Sequence, residues 1–539
     1  MTAVTTTPFD DQKPGTSGLR KKVSVFQQPG YLENFVQSVF DTVPELKGGT
    51  LVLGGDGRYH NDVAVTVILL MAAANGVARV IVGRGGLLST PAVSHLIRLH
   101  GAEGGFVLSA SHNPGGPTGD FGIKYNVSNG GPAPTSVTDA VFERSKVIDT
   151  YHIADGEVDL DTPGTQAIGD MRVDVIDPVA DYAELMESLF DFAAIRGWLA
   201  EHRMVFDGLH AVTGPYAREI FVNRLGAPDS ALQNCEPSPD FGGGHPDPNP
   251  VYAKELFDVM HGRDAPDFGA ASDGDGDRNI VLGPNQYVSP SDSLAVIAAN
   301  MHLAPGYRDG IAGAARSMPT SRAVDAVAAK LGVDCFETPT GWKYFGNLLD
   351  AGRITVCGEE SAGTSSDHVR EKDGLWAVLM WLNILAARKM SVAEIMADHW
   401  ATYGRHYYAR HDYEAVETAR AEAVMKALAS AAPDLAEVRA GEEIISAADS
   451  FTYHDPVDGS VAENQGLRVM FESGARFVMR LSGTGTEGAT LRLYLEAYEP
   501  PTGVHDHDVA ERLAPIADIA DQLTALRATV QRDGPTVVS

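Results

Sequence analysis

The segment GGTLVLGGDGRY, residues 48–59, decides the fold class, because an apolar run leads through a glycine-rich loop into a helical pattern that ends at Gly76. The same order returns at HRMVFDGLHAVTG, residues 202–214, and at DGIAGAARSMPTS, residues 309–321. Strand, loop and helix in repeated succession are typical of parallel α/β units. The sequence therefore predicts three related α/β domains.

The C-terminal part has a different pattern. RFVMRLS, residues 476–482, and TLRLYLEAY, residues 490–498, both have the composition of strands, and in the second Leu491, Leu493 and Leu495 alternate with Thr490, Arg492 and Tyr494. This pattern predicts an antiparallel sheet with helices on one side, and hence a separate α+β domain. The polar stretch 133–169 is expected to be a surface excursion, and the residues after Arg532 are expected to be frayed.

Composition limits the possible functions. The chain has 539 residues, of which 44% are hydrophobic and 21% charged, as in soluble globular proteins of several domains. Its net charge of −30 argues against nucleic acid and against an anionic membrane as partner. A phosphate substrate would require a local cluster of basic groups.

The cysteines and the N-terminus predict a cytoplasmic protein. Cys235, Cys335 and Cys357 are far apart and form neither a disulfide framework nor a metal-binding spacing. The first residues lack the basic start and the apolar run of a signal peptide. The longest apolar stretches are too short to span a bilayer.

The segment DGDGDRN places three carboxylates, Asp273, Asp275 and Asp277, at alternating positions. The glycines between them permit a tight loop in which the carboxylates converge, and three hard oxygen ligands suit Mg²⁺. An EF-hand is excluded, because Arg278 stands where its loop needs glycine and Pro284 where it needs glutamate. The alternative is a solvated acidic turn.

Ser111, within LSASHNPGG at residues 108–116, is a candidate for phosphoryl transfer. No G-x-S-x-G motif supports a hydrolase, and His112 is too close in sequence to act as the base of a triad. A serine that carries phosphate and ligates Mg²⁺ needs no such base at rest. The alternative is an Asn-Pro turn whose hydroxyls are incidental.

Two further segments are suited to binding a sugar phosphate. SGTGTEG, residues 482–488, contains G-x-G-x-x-G, but a strand and not a helix follows it, which excludes a dinucleotide site. The segment is then either a phosphate-binding loop, to which Arg492 on the following strand could contribute, or a plain hairpin loop. CGEESAG, residues 357–363, offers carboxylates to sugar hydroxyls, although alone it is better explained as a charged turn.

Together these segments resemble the α-D-phosphohexomutase superfamily, and most closely its phosphoglucomutase branch. The resemblance covers most of the chain. Its markers occur in the family's order: GTSGLRKK, SASHNPGG, FGGGHPDPN, DGDGDRN, PTGWKYFG, GEES, REKDG, YGRHYY and RLSGTGTEGATLRLY. Ala362 and Pro250 depart from the usual pattern at two positions outside the chemistry.

The resemblance implies an architecture: three mixed-sheet α/β domains and a C-terminal α+β domain around a central cleft. We expect the first domain to comprise residues 1–184 and to carry the phosphoserine loop, and the second to comprise residues 185–289 and to carry the Mg²⁺ loop. The third, residues 290–402, is expected to carry the sugar-binding loop, and the fourth, residues 403–539, the phosphate-binding loop.

The resemblance also assigns roles to residues. Ser111 is implied as the phosphoserine, and its phosphate completes the Mg²⁺ site of Asp273, Asp275 and Asp277. The residues around the reacting group are Arg20, Arg278, His112 and Lys372, the last two as candidates for proton transfer. The substrate-binding residues implied are Thr340, Gly341, Glu359, Ser361, Lys372, Ser482, Gly483, Thr484, Gly485 and Arg492.

The activity implied is the interconversion of glucose 1-phosphate and glucose 6-phosphate, with glucose 1,6-bisphosphate as intermediate and activator. We expect sugar phosphates as ligands, no nucleic acid, no membrane, and a monomer or weak homodimer. The alternatives are preference for mannose or glucosamine phosphates, a phosphatase, and a non-catalytic relative.

Overall fold

In the computed structural model, which describes residues 1–15, 17–482 and 488–539, the first repeated segment builds the centre of a seven-stranded mixed sheet. Its apolar run is the strand Thr50–Gly55, which is buried along nearly its whole length because helices cover both faces of the sheet. In spatial order the strands are Leu19–Lys22, Asp120–Val127, Gly104–Leu108, Thr50–Gly55, Arg79–Leu87, Met171–Ile176 and Gly164–Ile168.

The four inner strands, from Gly104–Leu108 to Met171–Ile176, pair in parallel, and the pairings outside them are antiparallel. A separate antiparallel pair joins Thr2–Thr5 to Thr150–Ile153. The helices of this part are Val23–Phe26, Tyr31–Thr42, Asn61–Ala74, Thr90–His100 and Thr135–Ser145, with a 3₁₀ turn at Pro44–Leu46.

The second repeated segment builds a five-stranded mixed sheet. Its strand Met204–Asp207 pairs in parallel with Phe268–Ser272, which turns back antiparallel into Asn279–Gly283. Leu232–Gln233 and Gln286–Val288 complete the edges. The helices here are Ala180–Leu189, Phe192–Leu199, Thr213–Ala217 with its π-helical continuation Arg218–Arg224, and Lys254–Met260, with 3₁₀ turns at Asp229–Ala231 and Phe241–Gly243.

The described residues form two compact units. The first comprises residues 1–290, 300–312 and 341–392, and the second comprises residues 291–299, 313–340 and 393–539. Besides the two sheets above, the first unit holds the hairpin Val356–Glu359 and Gly363–Ser366, the helices Lys343–Asp350 and Gly374–Arg388, and 3₁₀ turns at Met301–Leu303 and Pro305–Tyr307. Apart from the terminal residues Pro290, Asn300 and Val392, the helices Pro290–Asn300 and Val392–Tyr403 belong to the second unit.

In the second unit the third repeated segment forms the strand Gly313–Ser317, the helix Ala323–Leu331 and the parallel strand Asp334–Thr338. The helix ends at Gly332, whose φ of 73° is the left-handed conformation favoured after a helix. These elements confirm the predicted strand, loop and helix.

The C-terminal residues of the second unit form a seven-stranded antiparallel sheet. The predicted strands are Arg476–Ser482 and Ala489–Glu499, which pair with each other. The spatial order is Arg439–Ala440, Glu443–Ser450, Leu467–Phe471, Arg476–Ser482, Ala489–Glu499, Arg405–Val416 and Val537–Val538, with a small separate pair at Tyr453–His454 and Val461–Ala462. The helices Thr418–Ala431, Val509–Thr524 and Leu526–Val530 pack on it, with a 3₁₀ turn at Ala432–Asp434.

One of the two expectations about the weakly patterned segments is wrong. The stretch 133–169 lies mostly at the surface, as expected, but it also contains the helix Thr135–Ser145 and the strands Thr150–Ile153 and Gly164–Ile168, which join sheets at their edges. Short amphipathic edge elements carry too few apolar residues to give a clear period. The C-terminal residues are not frayed, because Val537–Val538 pairs with the strand Arg405–Val416.

A buried charge network stabilises the second unit. Glu496, which is 1% exposed, accepts hydrogen bonds from Arg476 Nε at 2.5 Å, His406 Nδ1 at 2.6 Å and Arg322 N at 2.9 Å. Burial alone would raise the pKa of Glu496, but Arg476, His406 and Arg322 together hold it well below its usual 4.5.

We expect Glu496→Gln to lower the unfolding free energy of the second unit by about 3 kcal/mol, because it leaves buried cationic groups unpaired. Because the pKa of Glu496 is lower in the folded state than its usual 4.5, its ionised form stabilises the fold at pH values above 4.5. This contribution is lost as the pH falls from 4.5 through the lower pKa of the folded state. The loss caused by the substitution should therefore be larger at pH 7 than in acid. Hydrogen exchange on peptides of this unit measures it, and Glu414→Gln, at an exposed position of the sheet, is the control.

Among the described residues no helix is by itself long and apolar enough to cross a membrane. Two helices separated by a short break, Gly374–Arg388 and Val392–Tyr403, are long and apolar enough only when they are counted together, and the chain bends by 85° between them.

Candidate active site

Ser111 lies just beyond the strand Gly104–Leu108, at the carboxyl edge of the first sheet. It is 1% exposed, and its Oγ donates a hydrogen bond to Asp273 Oδ2 at 2.9 Å. Its φ is +51°, a left-handed conformation that is uncommon for residues other than glycine and often marks functional sites. The turn directs the hydroxyl at the carboxylates of the neighbouring sheet.

A network of buried polar groups holds the serine in this turn. Ser109 Oγ accepts from Ser111 N at 2.7 Å and donates to Asp56 Oδ2 at 2.7 Å. Arg58 donates from Nη2 to Ser111 O at 2.7 Å and from Nε to Asp56 Oδ2 at 2.9 Å. Arg58 therefore connects the loop after the central strand to the backbone of the serine itself.

Sequence reasoning missed Asp56 and Arg58, because it took their segment only as a glycine-rich loop. A signal was present: both charged residues directly follow the buried strand Thr50–Gly55, where the carboxyl ends of parallel strands gather functional side chains. Both are 1% exposed.

We expect Arg58→Lys to lower kcat by about 10-fold or more, because a lysine cannot hold Asp56 and the Ser111 carbonyl at once. The KM for substrate should change little, since Arg58 is closed off from solvent. Steady-state kinetics measure the effect. Arg79→Lys, at a half-exposed ion pair on the same sheet, is the control and should leave kcat unchanged.

The three aspartates converge as predicted. Asp273, Asp275 and Asp277 are buried in the loop between Phe268–Ser272 and Asn279–Gly283, and one ligand oxygen from each lies within 4.8 Å of the others. A Cβ on Gly274 would stand 2.4 Å from Ser111 O, so only glycine permits the loop to approach the serine this closely.

The charges of the aspartates are only partly compensated. Burial and the charges of Asp275 and Asp277 raise the pKa of Asp273 well above its usual range. Burial acts in the same direction on Asp275, but Lys124, a hydrogen bond from Thr90 and further cations outweigh it and lower the pKa of Asp275. The repulsion between the carboxylates therefore falls mainly on Asp273.

The site fits a divalent cation. Asp275 Oδ1 and Asp277 Oδ1 are buried and have no hydrogen-bond partner among the described residues. Buried carboxylate oxygens without partners are costly, and a cation ligated by them removes both this cost and the repulsion.

Cationic side chains surround the carboxylates. Lys372 Nζ lies 3.0 Å from Asp277 Oδ2, and Arg278 Nε lies 3.9 Å from Asp277 Oδ1. Burial lowers the pKa of Arg20, which the negative charges of Asp275 and Asp277 only partly offset. This is the local basic cluster that an acidic chain requires for a phosphate ligand.

Lys124 and Glu371 are a second omission of the sequence analysis. Lys124 Nζ pairs with Glu371 Oε1 at 2.7 Å, and Asn126 Nδ2 donates to the same oxygen at 2.9 Å. Burial would lower the pKa of Lys124, but Glu371, Asp275 and Asp277 raise it. The available signal was a lysine between Ile123 and Tyr125 in the strand Asp120–Val127, most of which is buried.

His112 is less well placed. Its Nδ1 lies 3.5 Å from Ser111 Oγ, at the limit of a hydrogen bond. This distance agrees with the expectation that the ring does not act as the base of a triad.

The hairpin with the GEES segment adjoins the metal loop. Asn279 N donates to Ala362 O at 3.0 Å, and Arg278 forms an isolated bridge with Gly363. At the end of the first strand of this hairpin, Glu359 Oε1 accepts from Gly341 N at 2.9 Å, and burial raises the pKa of Glu359. Gly341, Glu359 and the half-buried Ser361 thus belong to the same unit as Ser111.

The remaining predicted residues belong to the second unit. Thr340 ends its middle segment, and Ser482 ends the strand that pairs with Ala489–Glu499. On that strand Arg492 Nε lies 3.6 Å from Asp412 Oδ1. Gly483, Thr484 and Gly485 lie outside the described residues.

Family models match nearly the whole chain. Phosphoglucomutase/phosphomannomutase alpha/beta/alpha domains I, II and III match residues 11–152, 180–286 and 290–403. The model described as phosphoglucomutase-1, C-terminal domain, matches residues 405–536.

Full-length relatives agree with these matches. A phosphoglucomutase of Rhizobium radiobacter is 59% identical over 538 residues, covering 99% of both chains. A probable cytoplasmic phosphoglucomutase 1 of Arabidopsis thaliana is 52% identical over 579 residues, covering 100% of this chain and 99% of the relative.

A solved structure has the same fold throughout. The open form of the exocytosis-sensitive phosphoprotein pp63/parafusin of Paramecium, a phosphoglucomutase, superposes with a TM-score of 0.93 at 47% identity, over 100% of this chain and 99% of that one. The fold of three α/β domains followed by a C-terminal domain is therefore confirmed. The chain belongs to the phosphoglucomutase/phosphomannomutase family, within the α-D-phosphohexomutase superfamily.

Proposed function

We propose that this chain is a phosphoglucomutase (EC 5.4.2.2), an isomerase that interconverts glucose 1-phosphate and glucose 6-phosphate by transferring phosphoryl groups through Ser111. The observation that carries the proposal is the contact of 2.9 Å between the buried Ser111 hydroxyl and Asp273, within a cluster of three carboxylates and several cations. Relatives that are 59% and 52% identical over the full chain, and named phosphoglucomutase, support it.

The proposed cofactor is Mg²⁺, held by Asp273, Asp275 and Asp277 together with the phosphate carried by Ser111. Three oxygen ligands plus a phosphate oxygen match the preference of Mg²⁺. When bound, the cation supplies charge neutralisation for the phosphoryl group. Glucose 1,6-bisphosphate is the proposed intermediate, and a trace of it activates unphosphorylated protein.

In the first step phosphorylated Ser111 donates its phosphoryl group to O6 of glucose 1-phosphate. The bond between Ser111 Oγ and phosphorus breaks, and a bond between O6 and phosphorus forms. The proton of the sugar hydroxyl passes to a base, for which Lys372 and His112 are the candidates. The Ser111 oxygen, which leaves as an alkoxide, takes up a proton from the protonated base, and the resulting hydroxyl donates to Asp273 as it does in the structure.

In the second step the bisphosphate reverses its orientation and presents its other phosphate to Ser111. The bond from O1 to phosphorus breaks, the proton of the Ser111 hydroxyl passes to O1 through the same base, and the serine regains its phosphate, so that glucose 6-phosphate leaves and the protein is unchanged. Arg20 and Arg278 stabilise the negative charge of the phosphoryl group during both transfers.

The sugar must bind in two orientations. We assign the positioning of its hydroxyls to Thr340, Gly341, Glu359, Ser361 and Lys372. Glu359 is suited to this because a buried carboxylate accepts strongly from hydroxyl groups. Ser482, Gly483, Thr484, Gly485 and Arg492 are assigned to the phosphate that is not being transferred.

We further propose the domain boundaries 1–184, 185–289, 290–402 and 403–539; family matches over residues 11–152, 180–286, 290–403 and 405–536 support this division into four. The protein is proposed to act in the cytoplasm, as the name of the Arabidopsis relative states for that protein, and as a monomer or weak homodimer.

A coupled assay tests the proposal. The protein receives glucose 1-phosphate, Mg²⁺ and a trace of glucose 1,6-bisphosphate, and the product is oxidised by glucose 6-phosphate dehydrogenase. We expect turnover that depends on both additions. Turnover of mannose 1-phosphate alone would contradict the substrate assignment, and release of inorganic phosphate would identify a phosphatase.

A further inference from the structure

A closed set of buried hydrogen bonds surrounds the first turn of the helix Gly374–Arg388. Asp373 caps this helix, with Oδ1 accepting from Trp376 N at 3.0 Å and from Tyr182 OH at 2.6 Å. Its other oxygen, Oδ2, lies 2.9 Å from His368 Nε2. The side chains of Asp373 and His368 are 0% and 2% exposed, so solvent contributes little to these contacts.

The set continues from the other ring nitrogen of His368. His368 Nδ1 lies 2.7 Å from Ser366 Oγ, which lies 2.6 Å from Tyr307 OH. Tyr307 OH accepts from the indole nitrogen of Trp376 at 2.9 Å, and the ring of His368 stacks on Trp376 at 5.4 Å. The series of hydrogen bonds therefore begins at Asp373 and ends at Trp376, both at the start of the same helix.

Only one order of donors satisfies every member when the imidazole is neutral. The Asp373 carboxylate accepts, so His368 Nε2 carries the proton and Nδ1 accepts from Ser366. Ser366 then accepts from Tyr307, which accepts from Trp376. Each buried donor has one acceptor, which fixes the tautomer and the ring orientation of His368.

This turn contacts the active site directly. Gly374 N donates to Gly276 O at 3.0 Å, within the loop of the three aspartates, and a Cβ on Gly374 would stand 2.2 Å from Arg278 O. Lys372, the residue before the cap, pairs with Asp277 at 3.0 Å. A displacement of Asp373 would therefore move both Lys372 and the metal loop.

We propose that His368 is a positioning residue, which acts through Asp373 to hold Lys372 and the loop of Asp273, Asp275 and Asp277 in their productive arrangement. The proposal rests on the proposed function for its kinetic consequences. His368 has no catalytic role of its own: although Ser366, His368 and Asp373 stand in the order of a hydrolase triad, Ser366 is 0% exposed and no substrate reaches it.

The decisive variant is His368→Phe, which keeps the ring stacked on Trp376 but removes both hydrogen bonds. We expect kcat to fall by about 10-fold or more, with KM for glucose 1-phosphate changed by less than about 2-fold. His368→Gln, which keeps a donor and an acceptor, should recover most of the loss. Ser366→Ala removes the Ser366 hydroxyl, and with it the hydrogen bond to His368 Nδ1, and should also lower kcat. It tests the proposal if His368→Phe does not fold.

A second measurement needs no turnover. Mn²⁺ binding, followed by electron paramagnetic resonance, should weaken by about 5-fold or more in His368→Phe and remain near the wild-type affinity in His368→Gln. The control is Asn383→Leu, because Asn383 is a buried polar residue of the same helix whose bonds go to Asp191 N and Leu303 O, away from the site. It should lower thermal stability without changing kcat or Mn²⁺ affinity.

The outcomes separate the two proposals. If His368→Phe folds and has the kcat and the Mn²⁺ affinity of the wild type, the proposed role of His368 is overturned. The role is also overturned if Asn383→Leu loses as much kcat as His368→Phe does. An inactive wild-type protein whose Mn²⁺ affinity still falls in His368→Phe would overturn the proposed function and leave the positioning role standing.

Discussion

Replacement of Ser111 by alanine is expected to lower kcat by about 10⁴-fold or more, because the group that carries phosphate between the two transfers is gone. Ser109, the hydroxyl two residues before it, cannot take its place, because Ser109 Oγ already accepts from Ser111 N and donates to Asp56. Stability should change little, since the substitution removes one oxygen that contacts a repelling carboxylate cluster. The coupled assay and a thermal melt measure the two quantities.

Ser109→Ala is the matched control for this variant, because it disturbs the same loop but leaves the Ser111 hydroxyl. It should retain measurable activity with a kcat lowered by about 10-fold. Activity of Ser111→Ala close to that of the wild type would show that the phosphoserine is elsewhere.

Replacement of Asp273 by asparagine is expected to have opposite effects on activity and on stability. The amide keeps an acceptor for Asp277 N and Arg278 N, which donate to Asp273 Oδ1 at 2.9 and 3.1 Å. Activity should fall by about 100-fold or more, because a ligand of the cation and its charge are lost. In the absence of metal the protein should become more stable by about 1 kcal/mol.

The stability gain follows from the pKa of Asp273. Burial and the neighbouring Asp275 and Asp277 raise it, so that the ionised form opposes folding at pH 7 and the substitution relieves this. The gain should vanish in acid, where the carboxyl is protonated in both states. Asp258→Asn, at an exposed helix pair, is the control and should change neither quantity. A metal-free Asp273→Asn that is less stable than wild type would contradict the electrostatic account.

The sequence predicted the elements and the chemistry of the site, since both depend on local patterns. The aspartates share one loop, and alternating glycines allow them to converge. Ser111 and Asp273 are 162 residues apart, and their contact follows from the fold that the resemblance implied.

The groups that the sequence did not reveal act over long separations. Lys124 and Glu371 are 247 residues apart, and nothing in the sequence around either residue indicates the other as its partner. Arg58 reaches the Ser111 carbonyl across 53 residues. His368 owes its role to Tyr307 and Trp376, whose side chains meet only in the folded core.

The most direct measurement of the central claim is peptide mapping of phosphate on the protein. After incubation with glucose 1,6-bisphosphate and Mg²⁺, mass spectrometry should find one phosphate per chain, on the peptide that contains Ser111. Addition of glucose 6-phosphate should remove it as glucose 1,6-bisphosphate forms. A protein that turns over glucose 1-phosphate while Ser111 remains unmodified, or whose Ser111 phosphate survives the sugar phosphate, would contradict the account.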